Sequence, residues 1–212
     1  MKRIITNGIT NLELLEGSSE WYWGADYAGN DLYEAEELFR SGHPIDKNRL
    51  VLIHRLEGTV YEPVCTKSGQ YLGKPVYHNG QIVLLLVDFP KEEIRILIFH
   101  AAEGTTDLLE VLPLSIVADC YNLMLEALPL MLTRSAHDKQ FQILWPERRN
   151  FAIEDHEIFE FLEGNRLYTS VWHEDPDYRE ELLVRDYHTG ELLERIPGNF
   201  RRMLDGQKWL LV

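Results

Sequence analysis

The chain has 212 residues, 45% of them hydrophobic, which is enough to bury one large core or two small ones. Its 35 Asp and Glu residues outnumber the 21 Lys and Arg residues, and the formal net charge is −14. A surface of this sign repels phosphate groups, so nucleic acids and anionic membranes are not expected partners.

The N-terminal stretch, residues 1–17, is charged and lacks the apolar run of a secretory signal peptide. The longest apolar run, Ile82–Phe89, is too short to span a bilayer. Cys65 and Cys120 have no cysteine or histidine beside them at metal-ligand spacing, which argues against a disulfide framework and a structural zinc site. We therefore expect a cytoplasmic protein that carries no cofactor and no metal.

Short runs rich in β-branched and aromatic residues follow one another along the chain, separated by polar turns. Four of these turns close on a glycine that stands between two apolar runs: Gly17, Gly80, Gly164 and Gly206. Gly164 and Gly206 are 42 residues apart, and Gly80 and Gly164 are separated by twice that distance. The first interval fits the same period if residues 28–47 are an insertion, and a turn without glycine is expected near Ala127 and Leu128.

A period of about 42 residues with four short strands per unit is typical of β-propeller blades, and in this architecture the chain resembles β-propeller repeat proteins. The resemblance implies an all-β, five-bladed β-propeller-like fold with one short helical insertion. It indicates no particular family, because the sequence has no WD or kelch motif. A β-sandwich with fortuitous spacing is the alternative interpretation.

Four complete units of strands are predicted, over residues 11–64, 74–114, 121–154 and 157–198. Residues 199–212 begin a fifth unit with only two strands, and residues 1–8 precede the first unit without a partner in it. Since an open sheet edge is a liability, we expect the two ends to share the fifth blade within one domain of residues 1–212.

The insertion, Ala28–Lys47, contains a predicted helix that Asn30 or Asp31 caps and that ends before Gly42 and Pro44. The apolar side chains of this helix recur at helical spacing and share one face: Leu32, Ala35 and Phe39. Either this face packs on the first blade, or the helix is presented to a partner, with Tyr33 and Glu36 as candidate contacts. In a propeller, the predicted loop Cys65–Gly73 lies on the same side as the insertion.

The tryptophans are predicted to be core residues. Trp21 and Trp23 alternate with Tyr22, so both indoles lie on one face of a strand. Trp145, Trp172 and Trp209 follow the same pattern. Trp172 has a second interpretation, because it also begins the most acidic stretch of the chain.

That stretch, His173–Arg179, is predicted to be an exposed loop, with Asp175-Pro176-Asp177 as its turn. It is either a solvated loop or a contact surface formed by the following residues: Trp172, His173, Glu174, Asp175 and Asp177. Its carboxylates are also suited to a hard cation, although the EF-hand pattern is absent. After it, two strands are expected, joined at a turn that contains Gly190, with one face of the first strand buried.

His137 and Asp138 lie in the corresponding loop of the third unit. If the loops converge, His137 approaches Glu174 or Asp175, an acid–base arrangement that five-bladed glycosidases use. A histidine in an ordinary loop is the alternative.

The leading functional hypothesis is a non-catalytic interaction module that presents an acidic loop face to a protein or peptide partner. Charge complementarity favours a basic partner. The alternative is a small five-bladed hydrolase that acts on a glycoside through paired carboxylates. Patterns typical of common enzyme classes, such as G-x-S-x-G, the P-loop and HExxH, are absent from the sequence.

Overall fold

The computed structural model describes residues 2–27, 31–136, 138–203 and 207–212. In these ranges the chain is all-β, with several small antiparallel sheets and one α-helix. It divides into two compact units, Met1–Leu132 and Thr133–Val212. Among the residues described, no helix has the length and apolar character needed to cross a membrane.

The first sheet has four strands in sequence order: β1 at Glu13–Leu14, β2 at Trp21–Ala25, β3 at Leu50–His54 and β4 at Val60–Tyr61. These are the strands predicted for the first unit. Trp21 and Trp23 are buried in a core that includes Leu50 and Leu52. The prediction that both tryptophans belong to the core is therefore confirmed.

The insertion forms one helix, α1, at Leu32–Arg40. Asp31 is its N-cap, and its Oδ1 accepts hydrogen bonds from two backbone N–H groups at 2.9 and 3.2 Å. Asn30, the other predicted cap, lies outside the described residues. Leu32 is buried, and the ring of Phe39 stacks on Phe89 with 5.5 Å between centroids. The apolar face of the helix thus packs inside the first unit.

The second sheet has five strands: β5 at Gln70–Leu72, β6 at Val76–His78, β7 at Gln81–Asp88, β8 at Glu93–His100 and β9 at Thr105–Pro113. Both β5 and β6 pair with β7, at its C-terminal and N-terminal ends respectively. The prediction of a loop over Cys65–Gly73 is therefore wrong for Gln70–Leu72. Tyr71 and Leu72 are buried there, and this burial favours a strand.

The third sheet also follows sequence order, with β10 at Met124–Ala127, β11 at Leu130–Ala136, β12 at Gln140–Trp145 and β13 at Arg149–Ala152. Leu128 and Pro129 form the turn between β10 and β11, which confirms the expected turn without glycine. Phe141 and Phe151 lie directly opposite each other on β12 and β13, and both are buried.

The fourth sheet consists of β14 at Glu157–Glu163, β15 at Arg166–His173, β16 at Arg179–Asp186 and β17 at Leu192–Pro197. The turn between β16 and β17 contains Gly190 with φ +75°, as predicted. The burial of one face of β16 is confirmed, and the other face is buried as well. Four successive side chains of this inner strand are buried: Leu182, Leu183, Val184 and Arg185.

The fifth sheet has two strands, β18 at Asn199–Arg202 and β19 at Lys208–Leu211. Phe200 and Leu210 pack with Phe161 and Leu182 of the fourth sheet, which explains the second buried face of β16. Trp209 is 48% exposed, so the prediction that it is a core residue is wrong. Residues 2–8 form no strand, and a fifth blade shared by both ends of a single domain stays a prediction.

The marker glycines occupy equivalent turns. Gly17, Gly80 and Gly164 have φ of +85°, +84° and +58°, each between the first two strands of a predicted unit. At Gly17 an added Cβ would stand 2.2 Å from the carbonyl oxygen of Tyr77, so no other residue fits there. Gly206 lies outside the residues described.

Candidate functional site

The acidic loop connects β15 to β16. His173, the last residue of β15, pairs with Arg179, the first residue of β16. The hairpin loop therefore comprises only residues 174–178, all exposed, and is one residue shorter at each end than expected. Arg179 Nη1 donates a hydrogen bond of 2.6 Å to the carbonyl oxygen of Asp175, which ties the loop to its own strand.

A groove of about 690 Å³ runs between this hairpin and the connection from β13 to β14. Four of the predicted site residues line it, together with five others, and the full lining is Lys139, Ile153, Glu154, Asp155, His156, Trp172, His173, Glu174 and Asp175. All of these residues belong to the second unit.

The groove has an aromatic platform, defined here as His156 and Trp172. Their ring centroids are 3.9 Å apart, with 30° between the ring planes. His156 has φ +63°, a left-handed conformation that non-glycine residues adopt mainly in turns. The turn thus directs the imidazole onto one face of the indole, and Trp172 is only half-buried.

The acidic side chains of the groove differ in their partners. Lys139 Nζ donates to Asp155 Oδ2 at 2.8 Å, and this hydrogen bond holds the pKa of Asp155 below its ordinary value. Glu154 forms an ion pair with Arg195 of β17. The carboxylates of Glu174 and Asp175 have no cationic partner within the described ranges, so the loop side of the groove carries uncompensated negative charge.

His173 belongs to a network that fixes its ring. Its Nε2 lies 3.2 Å from Glu181 Oε2, which also accepts a hydrogen bond of 2.9 Å from Arg195 Nη1. Burial raises the pKa of Glu181, but the hydrogen bonds from His173 and Arg195 outweigh it, and the net shift is downward. Glu181 is thus held as a carboxylate that orients His173.

The remaining predicted site residues lie elsewhere. Asp177 is exposed in the same hairpin loop but does not line the groove. Asp138 does not line it either: it accepts a hydrogen bond from the buried Arg134 at 3.3 Å and caps the N–H of Gln140. His137 lies outside the described residues, so its approach to Glu174 or Asp175 stays a prediction.

Tyr33 and Glu36 belong to the first unit. Glu36 is 3% exposed, and its carboxylate accepts a hydrogen bond of 2.7 Å from the N–H of Cys120 and pairs with Arg40 at 2.5 Å. This carboxylate is used inside the fold, so its burial disfavours a direct contact with a partner. Tyr33 is half-buried, with its ring edge-on to Tyr121 at 5.6 Å.

The sequence interpretation missed the second wall of the groove, Glu154, Asp155 and His156. The signal is nevertheless present, because Glu-Asp-His at residues 154–156 has the same composition as His-Glu-Asp at residues 173–175. Nothing local indicates that the two stretches meet. Among the described residues, no group of three or more His, Cys, Asp or Glu side chains is arranged to hold a metal ion.

Neither protein-family models nor curated proteins match the chain. Among solved structures, it is similar to the dihydro-heme d1 dehydrogenase NirN in complex with DHE, with 11% identity and a TM-score of 0.45, over 92% of this chain and 39% of that one. It is also similar to a candidate 6-phosphogluconolactonase from Bacteroides uniformis ATCC 8492, with 12% identity and a TM-score of 0.46, over 92% of this chain and 60% of that one. The chain spans less than two thirds of either protein, and TM-scores below 0.5 support no conclusion about function.

Proposed function

We propose that the protein is a non-catalytic interaction module whose second unit binds a basic peptide segment of a protein partner. The observation that carries this proposal is the groove of about 690 Å³, which combines an aromatic platform with acidic side chains. Peptide-binding grooves in proteins commonly use this combination of an apolar surface and a few charged groups.

The aromatic platform supports the binding of a flat cationic group. Trp172 offers a rigid indole surface that loses little conformational entropy on binding, and His156 holds the ring in place. A guanidinium or ammonium group near an indole ring gains roughly 0.5–2 kcal/mol from cation–π attraction. An arginine side chain in an extended peptide therefore suits this surface.

The charge of the hairpin loop supports the same ligand. Glu174 and Asp175 are exposed and line the groove. Two carboxylates at the mouth of a groove attract a basic segment over a distance of about one Debye length, about 8 Å at physiological ionic strength. The association rate should accordingly depend on salt.

A titration of the full chain tests this proposal, with fluorescence anisotropy of a labelled octapeptide that alternates Arg and Gly. The same peptide with Glu in place of Arg is the ligand control. Trp172→Ala and the double variant Glu174→Gln/Asp175→Asn should each weaken binding about 10-fold, which corresponds to about 1.4 kcal/mol. Asp177→Asn is the matched control, since it removes one negative charge from the same loop at a residue that does not line the groove. Equal binding of both peptides would refute the proposal.

A hydrolase that acts on a glycoside is the second candidate, and Glu160 is the observation that favours it. Burial raises the pKa of Glu160. A hydrogen bond of 2.6 Å from Ser170 and the charges of Arg202 and Arg201 oppose the rise, and the charge of Glu180 adds a smaller upward contribution. A carboxyl with a raised pKa beside a second carboxylate is what glycoside hydrolysis requires. Neither residue lines the groove, so this activity would need another site.

Nitrophenyl glycosides are suitable substrates for testing this second candidate with the full chain. If Glu160 is the general acid, Glu160→Gln should abolish turnover and Glu191→Gln, an exposed control, should leave it unchanged. Absence of turnover by the parent protein on a panel of α- and β-linked sugars would remove the candidate.

We also propose that the sheets are the blades of a five-bladed β-propeller. The first, third and fourth sheets each have four antiparallel strands in sequence order, which is the strand order of a propeller blade. The turn glycines recur at the predicted period. An experimental structure that showed any other number of blades would correct this count.

A further inference from the structure

One wall of the groove is electrically balanced. Glu154 and Asp155 each have a cation beside them: Glu154 pairs with Arg195. Lys139 Nζ donates to Asp155 Oδ2 at 2.8 Å. The backbone also holds Lys139 at this wall, because its carbonyl oxygen accepts a hydrogen bond of 2.9 Å from the N–H of Ile153. With histidines counted as neutral, the negative and positive charges here cancel. We call Glu154 and Asp155 the neutral wall.

The hairpin loop forms the other wall, and its charge is not balanced. Glu174 and Asp175 are exposed and line the groove. Within the part of the chain that the structure describes, neither carboxylate is paired with a Lys, Arg or His side chain. We call these two residues the acidic wall. Exposed ion pairs add little stability, but a cation beside a carboxylate still cancels most of its field at a bound ligand.

An extended peptide would meet the two walls with alternate side chains, because successive side chains of a strand point to opposite sides. A basic residue that faces the acidic wall gains Coulomb attraction from both carboxylates. The next residue then faces the neutral wall, where Lys139 and Arg195 cancel that attraction. A second basic side chain at this position therefore gains little.

We propose that Lys139 is a specificity-determining residue: by neutralising Asp155, it restricts the groove to peptide segments in which uncharged residues flank one basic residue. This inference rests on the proposed function, because it concerns the peptide that the groove binds. Lys139 is better suited to a test than Arg195. Its side chain is 57% exposed, whereas Arg195 also pairs with the Glu181 carboxylate that orients His173.

Two labelled octapeptides of Gly and Ser test the inference, one with a single central Arg and one with two adjacent Arg residues. The full chain is titrated with each at physiological ionic strength, which screens distant charges, and fluorescence anisotropy gives both dissociation constants. Their ratio measures the preference for the second Arg. We expect Lys139→Met to raise this preference at least about 3-fold over the parent, as for one new exposed ion pair with Asp155.

Lys208→Met is the matched control. Lys208 forms an exposed ion pair of 2.9 Å with Glu163 in the same unit and does not line the groove, so its loss should leave the ratio at the parent value. The double variant Lys139→Met/Asp155→Asn should also return the ratio to the parent value, which a general loss of structure would not do.

The possible results separate this inference from the proposed function. Equal ratios for the parent and Lys139→Met, with binding intact, overturn the inference alone. A raised ratio that persists in Lys139→Met/Asp155→Asn overturns it as well, because Asp155 would then not be the group that Lys139 neutralises. No binding of either peptide by the parent overturns the proposed function and the inference with it.

Discussion

Glu157 and Arg185 form a bidentate ion pair inside the second unit, with 2.7 Å from Nε to Oε1 and 2.8 Å from Nη2 to Oε2. The pair joins β14 to β16 across β15, and Thr169 of β15 donates to the same carboxylate. The side chains are 0% and 8% exposed. Buried charges of this kind are tolerated only when every partner is in place.

The first prediction concerns this pair. Arg185→Met should lower the free energy of unfolding by about 3–5 kcal/mol, because it leaves the Glu157 carboxylate buried without its cation. The double variant Glu157→Leu/Arg185→Met should be more stable than Arg185→Met alone. Urea denaturation measures both, with Glu147→Gln, in an exposed ion pair, as a control expected to change stability by less than about 1 kcal/mol. A loss that small for Arg185→Met would contradict the burial of the pair.

The second prediction concerns Glu160, whose pKa in the folded protein is raised chiefly by burial. The folded state then holds this proton more tightly than the unfolded state, so stability falls as pH rises through the interval between the two pKa values. Glu160→Gln removes this dependence. The variant should gain stability relative to the parent as pH rises above the ordinary Glu pKa of about 4.3. A constant difference across that range, like that expected for Glu191→Gln, would argue against the raised pKa.

The third prediction concerns Asp186, at the turn between β16 and β17. Hydrogen bonds from the N–H groups of Thr189 and His188, both 2.8 Å long, lower the pKa of this carboxyl. Because its pKa is lowered in the folded state, the Asp186 carboxylate stabilises the fold at pH values above the ordinary Asp pKa. This stabilisation is lost as pH falls through the pKa of the folded state. Asp186→Asn should therefore lower the melting temperature at neutral pH, with a difference that shrinks in acid. Asp177→Asn is the control, and a difference independent of pH would be inconsistent with this cause.

The fourth prediction concerns the cap of α1. Asp31→Ala removes the acceptor of two backbone N–H groups and should cost about 0.5–2 kcal/mol. Asp31→Asn keeps a side-chain oxygen and should cost much less. Thermal denaturation compares the two variants, and identical losses would show that charge rather than capping matters here.

Most strands were predictable because their signal is local. A turn glycine such as Gly80 stands between two apolar runs, and the alternation at Trp21 and Trp23 indicates the buried face. Trp209 failed as a core prediction for the opposite reason. Its burial depends on whether another element covers the face of β19, which no local pattern encodes. The strand Gln70–Leu72 was missed because three residues are too few for a period.

About half of the candidate site was predictable from the sequence. The His173–Asp175 stretch stands out by composition, and the structure places it beside a groove. On the opposite wall, only Glu154 falls in a predicted strand, and Asp155 and His156 fall between two predicted units. Their approach to Trp172 results from the pairing of β14 with β15, in which Glu157 lies opposite Val171. Tyr33 and Glu36 were proposed from the helix alone, and only the packing shows that Glu36 faces inward.

The burial of β16 on both faces has a consequence for hydrogen exchange. This strand lies between β15 and β17, and Leu182 to Arg185 are all shielded from water. Its amide protons should exchange only through opening of the whole second unit, whereas those of residues 174–178 should exchange within seconds. Trp172 and His173 of the groove lie on β15, which is thus paired along its length with the strand that we expect to exchange most slowly. Glu174 and Asp175 lie in the exposed loop outside that pairing.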